Sequence, residues 1–420
     1  MKLTKIAVLI AIAGASGSAF ATNGYFSHGY GIKAKGMAGV GIAMPQDALA
    51  AATNPAGMVM VGDRLDVGVD WFKPNRGADI VGAGAPGATG SYDGNGDSSF
   101  LIPEFGYNKM LGGDMSVGVS VYGNGGMNTR YNTSPFVAYG SQNPAGVNLE
   151  QLFVAPTFAM KLNKDHAIGA SIVLAYQTFG ATGLQGFDNA FVSASPGNVT
   201  NRGNDHSTGW GLRLGWTGQV SENVTLGATY ASKIKGKFDA YKGLFAEQGG
   251  FDIPENYGVG IAVKATPKLT VAADIQQINY GGVRSVANTV NCLFAGACML
   301  GQSGGAGFGW RDLTAYKLGL SYEYSKDLTL RAGLSTNRQP IPAGQTFFNI
   351  LAPGVVENHL TLGGTWTLAS KNELSVGYMH AFKKTINGSG SIPAVPFGGG
   401  EVNLHMSQDS LGVAYGIKFQ

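Results

Sequence analysis

Four stretches of the chain carry residue types at spacings associated with chemistry. Gly301-Gln302-Ser303-Gly304-Gly305 has the G-x-S-x-G spacing that lifts a serine nucleophile onto a strand-to-helix elbow. Gly82-Ala83-Gly84-Ala85-Pro86-Gly87 has the G-x-G-x-x-G spacing of a phosphate-cradling turn. Asp93, Asn95, Asp97 and Glu104 stand at positions 1, 3, 5 and 12 of a calcium-loop pattern. Cys292 and Cys298 are a close pair and the only cysteines. The first three meet obstacles in their own neighbourhoods. Ser303 lies in a glycine-rich segment without a strand before it or a helix after it, as an elbow requires. Pro86 stops the helix that a dinucleotide turn must open. Ser98 replaces the glycine of the calcium loop, and Pro103 disturbs its end. The six histidines are scattered and suggest no zinc site. No catalytic residue, metal or cofactor is therefore assigned, and an enzyme is not expected.

The elements that surround these stretches begin with an export signal. Lys2 and Lys5 precede the apolar run Ile6 to Ala13, and Ala19-Phe20-Ala21 forms an A-x-A cleavage site. Residues 1–21 read as a signal peptide, with the mature chain starting near Thr22. In an exported chain, Cys292 and Cys298 are expected to form a small disulfide loop. A metal or redox role would want a nearby histidine, a third cysteine or C-x-x-C, and none is present.

Composition narrows the class. Sixty-six of 420 residues are glycine, about twice the usual share of roughly 7%. Charged residues make up 13% and aromatics 10%, which argues against disorder. A net charge of +3 is too small to imply nucleic acid. No later segment approaches the apolar length of a membrane helix. Any membrane crossing must therefore be made by strands.

From Arg64 onward the apolar period is two. Leu65, Val67, Val69 and Trp71 alternate with Asp66, Gly68, Asp70 and Phe72. The last strand sets Leu411, Val413, Tyr415, Ile417 and Phe419 against Gly412, Ala414, Gly416 and Lys418. Fourteen such strands can be counted. Short connections such as Asn163-Lys164-Asp165 and Ser325-Lys326-Asp327 alternate with long ones. That asymmetry, with aromatics near strand ends, belongs to outer-membrane barrels rather than to a soluble sandwich. Closure removes the unpaired edges that lipid cannot satisfy. The fold expected is all-β: a 14-stranded antiparallel transmembrane β-barrel over residues 64–420.

A barrel of that width is not filled by its own side chains. Residues 22–63 do not alternate, are rich in glycine and alanine, and contain the turn signal Asn54-Pro55-Ala56-Gly57. They are expected to form an N-terminal hatch plugging the lumen. Asn54, Pro55, Ala56 and Gly57 are its candidate gate, placed against glycines of the third strand.

Three runs in this region, Asn23-Gly24-Tyr25-Phe26, Gly36-Met37-Ala38-Gly39-Val40-Gly41-Ile42-Ala43 and Ala52-Thr53-Asn54-Pro55-Ala56-Gly57-Met58, resemble the hatch of the outer-membrane long-chain fatty acid transporters, the FadL/TodX family. Phe251-Asp252-Ile253-Pro254-Glu255-Asn256-Tyr257-Gly258 is similar to the stretch that opens the strand after that family's fourth outer loop. The resemblance spans essentially the whole mature chain. It implies passive uptake: capture of a hydrophobic molecule on apolar outer loops, transfer to a lumenal pocket, and lateral exit at a kink in the third strand, gated by the hatch. It also implies the outer membrane of a Gram-negative bacterium, with outer-membrane lipid and lipopolysaccharide as surroundings. A monomer is expected.

Candidate residues can be set beside that route. Phe238, Tyr241, Leu244, Phe245 and Phe251 lie on one outer loop as ligand contacts, or as a small core of the loop itself. Gly123, Gly125 and Gly126 mark the kink. Lys161, Arg213, Lys264, Lys317 and Arg331 have inward parity and are the candidates for a carboxylate headgroup; wall ion networks would use the same residues. Long-chain fatty acids are the first substrate reading, aromatic hydrocarbons the second. A lipid hydrolase using His359 or His380, and a non-transporting receptor or adhesin, are the rivals from other classes.

Overall fold

The period-two run predicts strands, and strands are what it makes. The computed structural model describes residues 23–419; the expected export signal, residues 1–21, lies outside them. The strands are β1 (Arg64–Val81), β2 (Gly90–Asp93), β3 (Phe100–Leu111), β4 (Met115–Tyr131), β5 (Ala145–Lys161), β6 (His166–Thr182), β7 (Asp205–Ser221) and β8 (Val224–Ala231). They continue as β9 (Asn256–Thr266), β10 (Leu269–Ile278), β11 (Leu313–Ser325), β12 (Leu328–Asn337), β13 (Asn358–Thr367), β14 (Glu373–Ile386) and β15 (Glu401–Lys418). Each pairs antiparallel with its neighbours, and β15 closes on β1 from Arg64↔Lys418 to Val81↔Glu401. Fourteen strands make the wall; β2 is an extra hairpin strand on the outer end of β1. Outward positions such as Val67, Val69, Trp71, Leu411 and Val413 are exposed, as a lipid-facing belt must be. No helix among the described residues is long and apolar enough to cross a membrane.

The N-terminal segment fills the lumen. Its regular pieces are one helical turn, α1 (Ile32–Lys35), and the 3₁₀ turns at Ala50–Ala52 and Pro55–Met60. Its backbone is close enough to the wall that only glycine fits opposite. A β-carbon added at Gly125 would sit 1.9 Å from the Tyr25 carbonyl oxygen, at Gly169 2.4 Å from the Pro55 carbonyl carbon, and at Gly227 2.3 Å from the Ile42 oxygen. At Gly333 the same atom would lie 2.5 Å from the Ala38 nitrogen, and at Gly412 2.3 Å from Ile32. The small inward face read from the sequence is thus the seat of the plug.

Polar groups fasten what the glycines admit. Glu104 of β3 accepts from the Ile32 N–H at 2.9 Å and the Gly31 N–H at 3.2 Å. Asp274 of β10 accepts from Gly41 at 2.8 Å and Ile42 at 3.1 Å, and Asp66 of β1 from Ala48 at 2.9 Å. Lys35 meets Asp70 at 2.7 Å, and Lys33 pairs with Glu373, which also takes Arg64 at 2.9 Å.

The Asn54-Pro55-Ala56-Gly57 stretch is not where the sequence reading put it. Asn54 is the N-cap of the Pro55–Met60 turn: its side chain accepts from the Ala56 N–H at 3.1 Å, and Pro55 takes the first position, where no N–H is needed. The Asn54 amide donates to the Ile42 and Trp216 carbonyls at 2.7 and 3.0 Å. Pro55 lies against Gly169 of β6 and Asn54 against Gly215 of β7, whereas Gly125 of β4, at the kink, meets Tyr25. The gate expectation is corrected accordingly: these four residues anchor one side of the plug, and the segment at the kink is Asn23–Ser27.

Substituting valine at Gly215 puts its β-carbon 1.9 Å from the Asn54 Oδ1. We expect the plug to lift, so that trypsin cuts folded barrel at Lys33 or Lys35; wild-type barrel, where both lysines are buried, should resist. Mass spectrometry of the digest measures this.

Candidate functional site

The site grows from one extra residue in β4. Against β5, Gly123 pairs with Leu152 and Gly125 with Gln151, so Asn124 is a bulge. On its other side β4 pairs with β3 only as far as Phe105↔Val121. Above that point β3 stays with β1, up to Phe72↔Phe100, and β4 runs on to Tyr131 with a free edge. The wall is breached there. The glycines expected at the kink, Gly123, Gly125 and Gly126, lie within β4, at and beside this bulge.

The backbone groups along that edge are satisfied by substitutes for the missing strand. The Ser27 N–H donates to the Asn124 carbonyl at 2.8 Å, and the Gly126 N–H to the Tyr25 carbonyl at 2.9 Å. Arg76 of β1 reaches across and donates from Nε to the Asn128 carbonyl at 2.7 Å. Gly96 donates to the Arg130 carbonyl at 2.9 Å. Tyr280, from the β10–β11 loop, clamps the plug's N-terminal residues: its hydroxyl donates to the Asn23 carbonyl at 2.5 Å and accepts from the Tyr25 N–H at 3.1 Å. Burial pushes the Tyr280 hydroxyl up from its ordinary pKa, which keeps it protonated for both contacts.

Two cavities lie behind the breach. The outer one encloses about 550 Å³ up to its open mouth. Side chains of five separate loops and strand ends line it, including Phe136, Phe187, Leu244, Phe245, Leu300 and Phe348. Ser285 is its one hydroxyl, already spent on the Gly250 carbonyl. No charged side chain lines it. The inner cavity, about 310 Å³ to its mouth, lies between Phe72, Arg76, Met127, Trp310 and Met406. Leu351 borders the outer cavity, and Ala352, Pro353 and Gly354 border the inner one, so a single turn of chain divides them.

The loop residues proposed for capture divide between two roles. Phe238, Tyr241 and Phe251 are fully buried. They form a small core with Phe179, whose ring lies 4.8 Å from Tyr241 and 4.6 Å from Phe245. The Tyr241 hydroxyl donates to the Gly203 carbonyl at 2.6 Å. Leu244 and Phe245 alone of the five reach the outer cavity. Phe238, Tyr241 and Phe251 thus take the second of the two places the sequence left open, a small core of the loop itself.

None of the five expected headgroup cations lines either cavity. Arg213 donates to the Thr53 carbonyl at 3.2 Å, Lys317 to the His28 carbonyl at 3.0 Å, and Arg331 to the Gln46 side chain at 2.8 Å. These three hold the plug. Lys161 binds the Gly113 carbonyl at 3.0 Å in the β3–β4 turn, and Lys264 is exposed near the turn after β9. Parity told which side each residue faces but not its height in the barrel. Sequence reasoning missed Arg76, which sits beyond Pro74 in a stretch where alternation is weak.

The remaining motifs dissolve. Glu104 is committed to the plug, and Asp97 pairs with Arg130 at 3.6 Å, so the calcium pattern does not converge. Among the described residues no cluster of three metal-ligating side chains exists. Ser303 sits in an irregular loop, its carbonyl accepting from Arg284 at 3.2 Å. Cys292 and Cys298 are joined in a disulfide.

A family model described as outer membrane protein transport protein (OMPP1/FadL/TodX) matches residues 8–419. Among curated proteins none matches. The chain is similar in structure to the P. putida toluene transporter TodX, at 18% identity over 94% of this chain and 99% of that one, with TM-score 0.67. A Pseudomonas aeruginosa FadL homologue is similar at 16% identity over 94% and 100%, TM-score 0.71. The Ralstonia pickettii toluene transporter TbuX gives 18% over 94% and 99%, TM-score 0.65. At these identities the likeness is one of fold.

The placement of the expected residues is measurable. Phe245→Ala should cost about 3 kcal/mol of unfolding free energy in urea, the usual loss for a buried phenylalanine. Lys161→Met and Lys264→Met should each change it by less than about 0.5 kcal/mol, as rim positions do.

Proposed function

The chain belongs to the outer membrane transport proteins of the OMPP1/FadL/TodX family, and from that premise we propose the route by which a hydrophobic compound passes through it. The protein resides in the outer membrane of a Gram-negative bacterium, transports hydrophobic compounds and is not an enzyme. The proposed route begins in the outer cavity, where an apolar molecule leaves water beneath the loops. It continues past the Phe348–Gly354 turn into the inner cavity. It ends sideways, through the breach between β3 and β4, into the bilayer.

The observation that carries this reading is the free edge of β4. A membrane wall tolerates no unpaired strand edge facing lipid, yet this one is satisfied by borrowed groups from Tyr25, Ser27 and Arg76. Withdrawing Asn23–Ser27 breaks a few hydrogen bonds and the single bridge Phe26↔Gly125 but no pairing between the strands of the wall, so opening leaves the barrel intact. The plug's other contacts, on Gly169, Gly215 and Gly227, stay in place. An apolar passenger gains by this path, because it never meets the water below the plug.

Among hydrophobic compounds we favour long-chain fatty acids. An aromatic hydrocarbon, the cargo named for two of the similar structures, would follow the same path.

Deleting Asn124 tests the exit. The deletion keeps every other β4–β5 pair in register and removes the bulge. Uptake of radiolabelled oleate by cells carrying the variant should drop to the level of cells without the barrel, while the heat-modifiable gel shift of a folded barrel persists. Undiminished uptake would rule out lateral exit.

A further inference from the structure

The outward side of β14, β15 and β1 changes character at one level. Outward positions pair in rows across these three strands: Val376, Val413 and Val69, then Tyr378, Leu411 and Trp71. These rows belong to the lipid-facing belt, with its aromatic girdle at the edge. The next row outward is His380, Asp409 and Lys73. Lys73 stands nine residues along β1 from Arg64, at the short-turn end. For a strand tilted about 40° that is a height of roughly 23 Å, near the top of an apolar band about 25 Å tall. All three strands thus turn polar where hydrocarbon gives way to lipid headgroups.

A bulge brings a second lysine to this surface. β14 pairs Ala381 with Gln408 and then Lys384 with Met406, so Phe382 and Lys383 together oppose Ser407. By alternation Lys383 would share the inward side of Met379 and Ala381, which are buried. Instead both Phe382 and Lys383 are exposed, the re-aiming that a bulge produces. Lys73 and Lys383 are two strand spacings apart across the sheet and two residues apart along it, roughly 12 Å between α-carbons. Their four-carbon stems can bring both ammonium groups to one anion.

The carboxylates nearby are already engaged. Asp409 accepts from the Tyr378 hydroxyl at 2.6 Å and meets His380 Nδ1 at 2.9 Å. Asp79 accepts from the Ser91 hydroxyl at 2.6 Å and lies 3.7 Å from His405 Nδ1. Glu357 pairs with Lys384 at 2.6 Å. Among the described residues, neither Lys73 nor Lys383 lies within ion-pair distance of a carboxylate. Asp409 also fixes the His380 ring and leaves its Nε2 for another partner. Asn75, exposed, and Ser407, half-buried, add neutral hydrogen-bonding groups one row farther out.

We propose that this outer wall is a binding site for a phosphate-bearing glycolipid of the outer leaflet, of the lipid A type. Lys73 and Lys383 take a phosphate, His380 Nε2 and Asn75 meet sugar hydroxyls, and the acyl chains lie along Trp71, Leu411 and Tyr378. The charge fits an anion and the neutral groups fit a sugar; an anionic phospholipid would satisfy only the lysines. The site lies on the outside of the barrel, apart from both cavities. It also straddles the closing seam of β15 and β1, so a bound lipid fastens the first strand of the wall to the last two.

Native mass spectrometry of the folded protein in detergent, titrated with bis-phosphorylated lipid A, tests this. Wild type should retain one lipid A. Affinity should fall roughly thirtyfold in K73Q/K383Q, from about fivefold for each lysine beside an anionic lipid surface. The control K164Q/K326Q, in short turns at the other end, should bind as wild type does. Dephosphorylated lipid A should bind wild type about as weakly as bis-phosphorylated lipid A binds K73Q/K383Q. Unchanged binding in folded K73Q/K383Q, or an equal loss in the control, overturns the site. Phosphatidylglycerol binding as tightly as lipid A overturns the glycolipid as its occupant. If K73Q/K383Q lacks the heat-modifiable gel shift of a folded barrel, the dephosphorylated probe decides: equal affinity for both forms of lipid A by wild type overturns the proposal.

Discussion

A peptide segment sealed inside a barrel has amide hydrogens that must find acceptors, and the plug has almost no helix or strand to supply them. The wall supplies them instead. Glu104, Asp66 and Asp274 accept directly from plug N–H groups, and Arg213 and Lys317 donate to plug carbonyls. An unmet buried amide costs a few kcal/mol, so the plug's path is dictated by where these side chains stand. Their arrangement in turn requires inward glycines, since a side chain at Gly125, Gly227 or Gly333 would hold the backbone too far away to bond. Charge, hydrogen bonding and the unusual glycine content are one constraint seen from three directions.

The same constraint explains the breach. Where β3 leaves β4, the edge is not left bare. Tyr25 and Ser27 pair with it as a makeshift strand, and Arg76 completes it. A wall built of continuous pairing would be sturdier. This one replaces part of the ladder with contacts from the plug and from the Arg76 side chain.

Much of the fold was legible because alternation is a strong signal where one face meets lipid. β1 from Leu65 to Phe72 and β15 from Leu411 to Phe419 declare themselves in this way. The site was less legible, for two physical reasons. Parity fixes the side of the wall but not the depth, so Lys161 and Lys317 looked equivalent although one ends a strand beside a turn and the other bonds to the plug. Contacts distant in sequence are invisible to local pattern: nothing near Asn54 says that it packs on Gly215, and nothing near Arg76 says that it spans a gap to Asn128. The aromatic loop from Phe238 to Phe251 was recognisable as apolar, but whether it faced water or itself depended on Phe179, from another strand.

The plug's seats also set the order in which the molecule can be completed. Ile32 rests on Gly377 of β14 and Gly412 of β15, and Gly36 on Gly363 of β13, yet Ile32 is separated from Gly412 by nearly the whole mature chain. The residues that leave the translocation machinery first therefore wait for those that leave last. Until β15 has met β1 the seat of Ile32 is incomplete, and contacts so distant in sequence are slow to form. The seal is complete only when the last strand of the wall is in place.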